Sequence, residues 1–157
     1  MIRVGVIGLG YWGKALLEYF RTTKNCEVVA VQEINKEIEK EIDLSGIKFY
    51  TNLEEFFSKE KMDAVVVVIP PPYHIIPTKM AAERKIHVFC EKPISASLED
   101  ADEMIKACKK NNVILMVAFK HRFSKAFSYV KKNLDRLGKP LRAMYTYPLW
   151  KVDDPGW

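Results

Sequence analysis

Cysteine is scarce in this 157-residue chain. Cys26, Cys90 and Cys108 are odd in number and far apart, with no CxxC pair. That excludes a disulfide framework, and with no His/Cys cluster at metal-ligand spacing the sequence offers no metal site. Three reduced thiols, at least partly buried, in a cytoplasmic protein are the expectation. The opening MIRVGVIGLGYWG lacks a charged-then-apolar leader pattern and runs straight into strand-like sequence. The longest apolar run, residues 64–72, is too short to span a bilayer. There is no Arg-rich block and no basic stripe interleaved with aromatics, so a formal charge of +5 does not mark a nucleic-acid binder. Most of that charge is lysine mixed with glutamate, as in residues 36–41, a solvated-face pattern; the mild basic excess helps to attract a phosphorylated ligand. No internal repeat or low-complexity tract is present.

What remains is a composition with 48% hydrophobic and 29% charged residues, suited to a soluble domain with a real core. Apolar runs of strand length alternate with amphipathic stretches of helix length. Strands are expected over residues 2–7, 27–32, 48–50, 64–69, 87–90 and 113–119. Helices are expected over 13–22, 34–42, 53–57, 75–84 and 98–110. Asn52 is a plausible N-cap, and Ser97 with Asp100 three residues later comes close to a capping box. On the 98–110 helix, Leu98, Ala101, Met104, Ile105 and Cys108 would share the buried face. The AVVVVI run at 64–69 suits a strand buried on both faces, and 113–119 reads as another buried strand. This alternation implies an α/β fold, a doubly wound parallel sheet of the Rossmann type, over residues 1–120. Beyond it, 121–137 reads as a connecting helix, Gly138-Lys139-Pro140 as a breaker, and 141–149 as a half-buried strand. One strand cannot bury its own face, so 121–157 is expected to open a second α+β domain.

Gly8-Leu9-Gly10-Tyr11-Trp12-Gly13 fits the GxGxxG pattern. Alone the pattern is weak, but here it follows the first strand and opens the first helix. Gly8 would permit the tight turn, Gly10 a close approach of backbone to a pyrophosphate, and Gly13 close helix–strand packing. The helix start that carries Tyr11 and Trp12 favours phosphate charge. Glu33, twenty residues beyond Gly13, sits where an acid accepts hydrogen bonds from the adenosine ribose. It would repel the extra phosphate of NADP, and no basic residue follows until Lys36, which favours NAD as the cofactor.

Three later strands deliver unusual ends to one edge of the sheet: Pro70-Pro71-Pro72-Tyr73-His74, Glu91-Lys92-Pro93 and Lys120-His121-Arg122-Phe123. In an open α/β sheet that edge is where ligands bind. Each segment alone reads as a rigid loop, a surface ion pair or a surface charge; together, beside a dinucleotide loop, they read as a site.

With these residues in view, the chain resembles the glucose–fructose oxidoreductase and myo-inositol dehydrogenase (Gfo/Idh/MocA) family of NAD(P)-dependent oxidoreductases. The stretches that carry the resemblance are VGVIGLGYWGKALL, DAVVVVIPPPYH, HVFCEKPISASLEDADEMI and VAFKHRF, in order across about residues 1–123. The resemblance implies that Gly8, Gly10 and Gly13 line the pyrophosphate and Glu33 the ribose. It puts Pro70, Pro71 and His74 beside the nicotinamide, with Glu91 fixing the turn before Lys92. Lys92 would orient or deprotonate a substrate hydroxyl, and Arg122 would lie near the nicotinamide. A lysine beside the cationic nicotinamide in a poorly solvated cleft would have its pKa lowered, which suits a base. Ile69 and Pro71 depart from the usual threonine and asparagine, and His121 from a frequent asparagine.

The resemblance also implies chains about twice as long, whose second half supplies an open sheet, an oligomer interface and a further acid–base residue. Two functions stay open. One is the cofactor-binding part of an oxidoreductase acting on a sugar- or polyol-type secondary alcohol, with NAD or NADP. The other is a stand-alone dinucleotide-binding module without turnover. The expected partners are a dinucleotide, a small substrate, and a second copy or other protein along strand 141–149; neither a membrane nor nucleic acid is expected.

Overall fold

The structure, a computed structural model, describes residues 1–139 together with 142, 144 and 146. It divides into two compact units, residues 1–119 and the segment from Lys120 onward. The strand expected over 141–149 lies outside the described residues but for those three isolated positions.

The first unit alternates β1 (Ile2–Ile7), α1 (Tyr11–Thr22), β2 (Cys26–Gln32), β3 (Lys48–Tyr50), α2 (Leu53–Lys59), β4 (Ala64–Val67), α3 (Ile75–Glu83), β5 (His87–Cys90), α4 (Leu98–Asn111) and β6 (Leu115–Val117). The strands form one sheet in the order β3-β2-β1-β4-β5-β6, with every pair parallel. The chain winds outward from β1 through β2 to β3, then crosses back to β4 on the other side. That reversal places a topological switch point between β1 and β4, where a crevice opens beyond the strand ends.

Period-two alternation divides the central strands between two cores. On one face Ile7, Val65, Val67, Val88 and Cys90 pack with Phe56 and Phe57 of α2, Ala81 of α3 and Met104 of α4. On the other, Val4, Val6, Val28 and Val66 pack with Leu17 of α1, and Phe20 and Phe89 join them. Burial on both faces is why β4 needs valine at three successive positions.

Four expectations change. The helix expected at 34–42 is a short 3-10 helix, Lys36–Lys40, begun by Asn35, whose side chain accepts the Glu37 N–H. A helix is sustained by packing an apolar face, and here Ile38 and Ile42 pack on the core while Ile34 is 83% exposed. The strand expected over 113–119 shortens to Leu115–Val117 and is not fully buried, with Met116 exposed, because β6 pairs with β5 alone. In α4 the buried residues are Met104 and Cys108; Leu98 and Ile105 are exposed, because the helix meets its neighbours along a narrower stripe. Its ends follow the sequence, since Ser97 Oγ accepts the Asp100 N–H and Asn112 closes it in the left-handed conformation. Finally, the single helix expected at 121–137 is a 3-10 turn, Lys120–Phe123, then α5 (Lys125–Asn133) and a second 3-10 turn, Leu134–Leu137. Ser124 is extended and separates the first turn from α5.

Candidate functional site

Backbone contacts at the end of β1 shape the first part of the site. Gly8 donates its N–H to Gln32 O at 2.8 Å, which ties β1 to β2 as the chain turns. Its φ is +92°, and a Cβ there would stand 2.6 Å from Val68 O. Only glycine fits both conditions. A Cβ on Gly13 would fall on Gly8 O and lie 2.8 Å from Gly8 C, so α1 packs on the turn only without a side chain. Gly10 differs from both, because a Cβ there would meet nothing within 4 Å. Gly10 is also the N-cap of α1, with no side-chain capping bond and no acidic residue in the first turn. The start of α1 therefore offers N–H groups and the positive end of the helix dipole to an anion.

Glu33 stands against this loop. Its Oε2 accepts the Leu9 N–H at 2.8 Å and its Oε1 the Asn35 N–H at 3.0 Å. A carboxylate has about four acceptor positions, so lone pairs remain for ligand hydroxyls after these two bonds. Its own N–H donates to Tyr50 O at 2.9 Å, which links the carboxylate to the end of β3. The Tyr50 hydroxyl in turn donates to Glu60 Oε1 at 2.6 Å, and that bond, with burial and the charge of Glu60, pushes its pKa up to about 12.

Gly8, Gly10, Glu33 and Pro70 all line one cavity of about 720 Å³. That volume is ordinary for a small-molecule site. Ile34, Leu53, Tyr73, Ile76 and Met80 make its wall largely apolar, and Thr51 and Asn52 add polar groups. The sequence reading missed these residues. Their signal was position: each directly follows Glu33 or β3, or sits in the turn or helix after β4. Exposed apolar side chains at strand ends, such as Ile34 and Tyr73, have no core to enter and become the walls of a crevice.

Tyr11, Trp12 and Gly13 occupy the first turn of α1 rather than the cavity wall. The Tyr11 and Trp12 rings meet edge to face at 5.4 Å.

Side chains organise the ends of β4 and β5. His74, fully buried, begins α3 after a short 3-10 turn, Pro71–Tyr73. Its Nε2 lies 2.7 Å from Ile69 O and its Nδ1 3.1 Å from Ile94 O, with Cys90 Sγ 3.2 Å from Nδ1. Burial, then the charges of Glu91 and Cys108, push the Cys90 thiol up to about 12, so it stays protonated as an S–H donor. Glu91 Oε2 accepts the Lys92 N–H at 2.9 Å, which fixes the turn before Lys92. The Lys92–Pro93 peptide is cis. Lys92 itself is exposed, so the described residues do not form the poorly solvated cleft expected around it. Arg122 belongs to the second unit, in the 3-10 turn Lys120–Phe123, where the His121 ring lies 5.3 Å from that of Phe127.

Among the described residues no group of His, Cys, Asp or Glu could hold a metal ion, and no helix is long and apolar enough to cross a membrane. A nicotinamide dinucleotide suits what is there. The uncapped start of α1 with open space at Gly10 would take the pyrophosphate, the remaining lone pairs of Glu33 a ribose diol, and the apolar cavity an adenine.

The chain is similar to known proteins. A family model described as "Oxidoreductase family, NAD-binding Rossmann fold" (GFO_IDH_MocA) matches residues 2–119. The chain is 34% identical to myo-inositol 2-dehydrogenase of Thermotoga maritima over 143 residues, which is 88% of this chain and 43% of that protein. It is 32% identical to 2,7-anhydro-N-acetylneuraminate hydratase of Mediterraneibacter gnavus over 154 residues, 96% of this chain and 40% of that one. Among solved structures, a dehydrogenase of Bordetella pertussis in complex with NADH and UDP-GlcNAcA superposes with a TM-score of 0.80 at 26% identity, covering 86% of this chain and 40% of that one. The chain thus spans about two-fifths of the length of these relatives.

Proposed function

The chain belongs to the GFO_IDH_MocA oxidoreductase family, as an NAD-binding Rossmann domain, and from that premise we propose that it holds NAD in preference to NADP for hydride transfer to or from a sugar- or polyol-type secondary alcohol. The observation that carries this reading is Glu33. Its carboxylate is tied to the glycine loop through Leu9 N–H and lines the cavity beside the loop, where it receives a ribose diol and repels a ribose phosphate. Ile34, next in the chain and also in the cavity wall, brings no cation to offset that repulsion.

When bound, the dinucleotide supplies the hydride acceptor or donor. The chain's own residues bind and orient it. Gly8, Gly10 and the first turn of α1 receive the pyrophosphate, and the apolar cavity takes the adenine out of water. Lys92 Nζ orients the substrate hydroxyl or, as the neutral amine, takes its proton when an alcohol is oxidised and returns it in the reverse direction. In this reading the segment from Lys120 onward, which carries Arg122, belongs to a second domain that provides substrate contacts and self-association.

Titrating the protein separately with NADH and NADPH, by calorimetry, tests the proposal. NADH is expected to bind at least ~10-fold more tightly, a difference of about 1.4 kcal/mol; equal affinities would sink the role given to Glu33. Turnover assays with cyclic polyols and pyranoses then separate an oxidoreductase from a module that binds without turnover.

A further inference from the structure

His74 holds the ends of β4 and β5 in one arrangement. We propose that it is a positioning residue: its buried ring fixes the Glu91–Pro93 turn, and hence Lys92, relative to the cavity wall at Ile69 and Pro70. This rests on the reading of Lys92 given above. It departs from the expected place of His74 beside the nicotinamide, since the ring is fully buried and its nitrogens face chain atoms instead.

The ring touches three points, and two of them are the two ends of the Lys92 turn. Cys90 precedes the turn and its Sγ is 3.2 Å from Nδ1; Ile94 follows it and its carbonyl oxygen is 3.1 Å from the same nitrogen. The third point is Ile69 O, 2.7 Å from Nε2, in the segment that lines the dinucleotide cavity. The histidine therefore bridges the base of the turn and anchors it to the neighbouring strand end.

Proton placement supports the same bridge in either charge state. A neutral imidazole has one N–H, and the shorter contact gives it to Nε2, donating to Ile69 O. Nδ1 then accepts the Cys90 S–H. If the ring is protonated, Nδ1–H donates to Ile94 O instead. The neutral ring ties the β4 end to Cys90, the last residue of β5, and the protonated ring ties it to Ile94, beyond the turn. Among the described residues the backbone links these strand ends nearby through Glu91 N–H to Val67 O at 2.9 Å. Cys90 Sγ also lies near Glu91 O and Ile94 O. The ring adds the side-chain tie from the β4 end across the turn.

His74→Phe keeps an aromatic ring and removes every polar tie. His74→Gln keeps one donor and one acceptor. Two measurements on the full chain suffice, namely amide exchange, and NMR of ¹³C-dimethylated lysines with the Lys92 signal assigned through Lys92→Arg. In the wild type, NADH should shift the Lys92 signal. In His74→Phe, the Lys92 and Ile94 amides should exchange ~10-fold faster or more and the NADH-induced Lys92 shift should vanish. The Kd for NADH should change less than ~3-fold, and α4 amides should exchange as before. His74→Gln should restore part of both signals, which a merely volume-filling side chain would not do. Wild-type exchange at the Lys92 and Ile94 amides in His74→Phe overturns the tie. A wild-type Lys92 response in that variant overturns the positioning role alone. If NADH binds the wild type without moving the Lys92 signal, the reading of Lys92 fails, and this role for His74 fails with it.

Discussion

At the ends of β1 and β2 the chain is held by its backbone, whereas at the ends of β4 and β5 it is held by side chains. The first region relies on the positive φ of Gly8, the close approach of Gly13 and the Gly8–Gln32 ladder bond, with Glu33 as its one important side chain. The second relies on His74, Cys90 and Glu91, whose bonds run to carbonyls and N–H groups of neighbouring segments. Backbone packing leaves open space at Gly10 that a ligand can fill. Side-chain ties close their region from within and leave Lys92 at its exposed rim. One region is left open and the other is closed from within.

Glycine substitutions put the largest strain on this contrast. Gly13→Ala should lower folding stability by about 3 kcal/mol, because the clash is with Gly8 backbone that cannot swing away. Urea denaturation measures it, and a loss below about 1 kcal/mol would mean the loop relaxes readily. Gly10→Ala should do the reverse, leaving stability within about 0.5 kcal/mol while raising the Kd for NADH ~10-fold, since the new methyl enters only the ligand's space. If both variants behave alike, the distinction between a packed and a receiving glycine is lost.

The second region is probed more gently through its thiol. Cys90 is buried and its pKa is pushed up to about 12, so maleimide should modify it at least ~100-fold more slowly than partly exposed Cys26. Denaturant should erase the difference. Fast labelling of Cys90 in the folded chain would show that the β5 end opens.

Tyr50→Phe should have the smallest effect on the site, because Glu33 is tied to the Tyr50 carbonyl and not to its hydroxyl. The Kd for NADH should move less than ~2-fold, about 0.4 kcal/mol. Its pH signature is separate. The hydroxyl titrates near 12 in the folded chain and near ~10 when unfolded. Its contribution to stability is therefore complete below pH ~10 and lost as pH rises through 12. Wild type and Tyr50→Phe should converge in denaturation midpoint across that interval; a constant gap would exclude the Glu60 bond as the cause.

Much of this was legible beforehand, and the reasons differ by element. The run at residues 64–67 needed no partner to announce a central strand, since only burial on both faces rewards valine at successive positions. Gly8, Gly10, Gly13 and Glu33 were legible because their spacing follows from a strand, a turn and a helix. The helix expected at 34–42 is only a short 3-10 helix, because a charged pattern does not tell how much of the segment reaches the core: Ile38 and Ile42 pack on it and Ile34 does not. The apolar wall of Ile34, Leu53, Tyr73 and Ile76 is gathered from three separate strand ends, so no local pattern contains it.

The sequence by itself determined the order of strands and helices, the glycine turn and the acid after β2, because these depend on contacts a few residues apart or on side-chain period. Tertiary structure alone decided that His74 turns inward to Ile69, Cys90 and Ile94 while Lys92 stays at the surface. Those partners stand as far as 20 residues from His74. They meet only because parallel strands bring β4 and β5 side by side, where burial makes the ring nitrogens of His74 find partners.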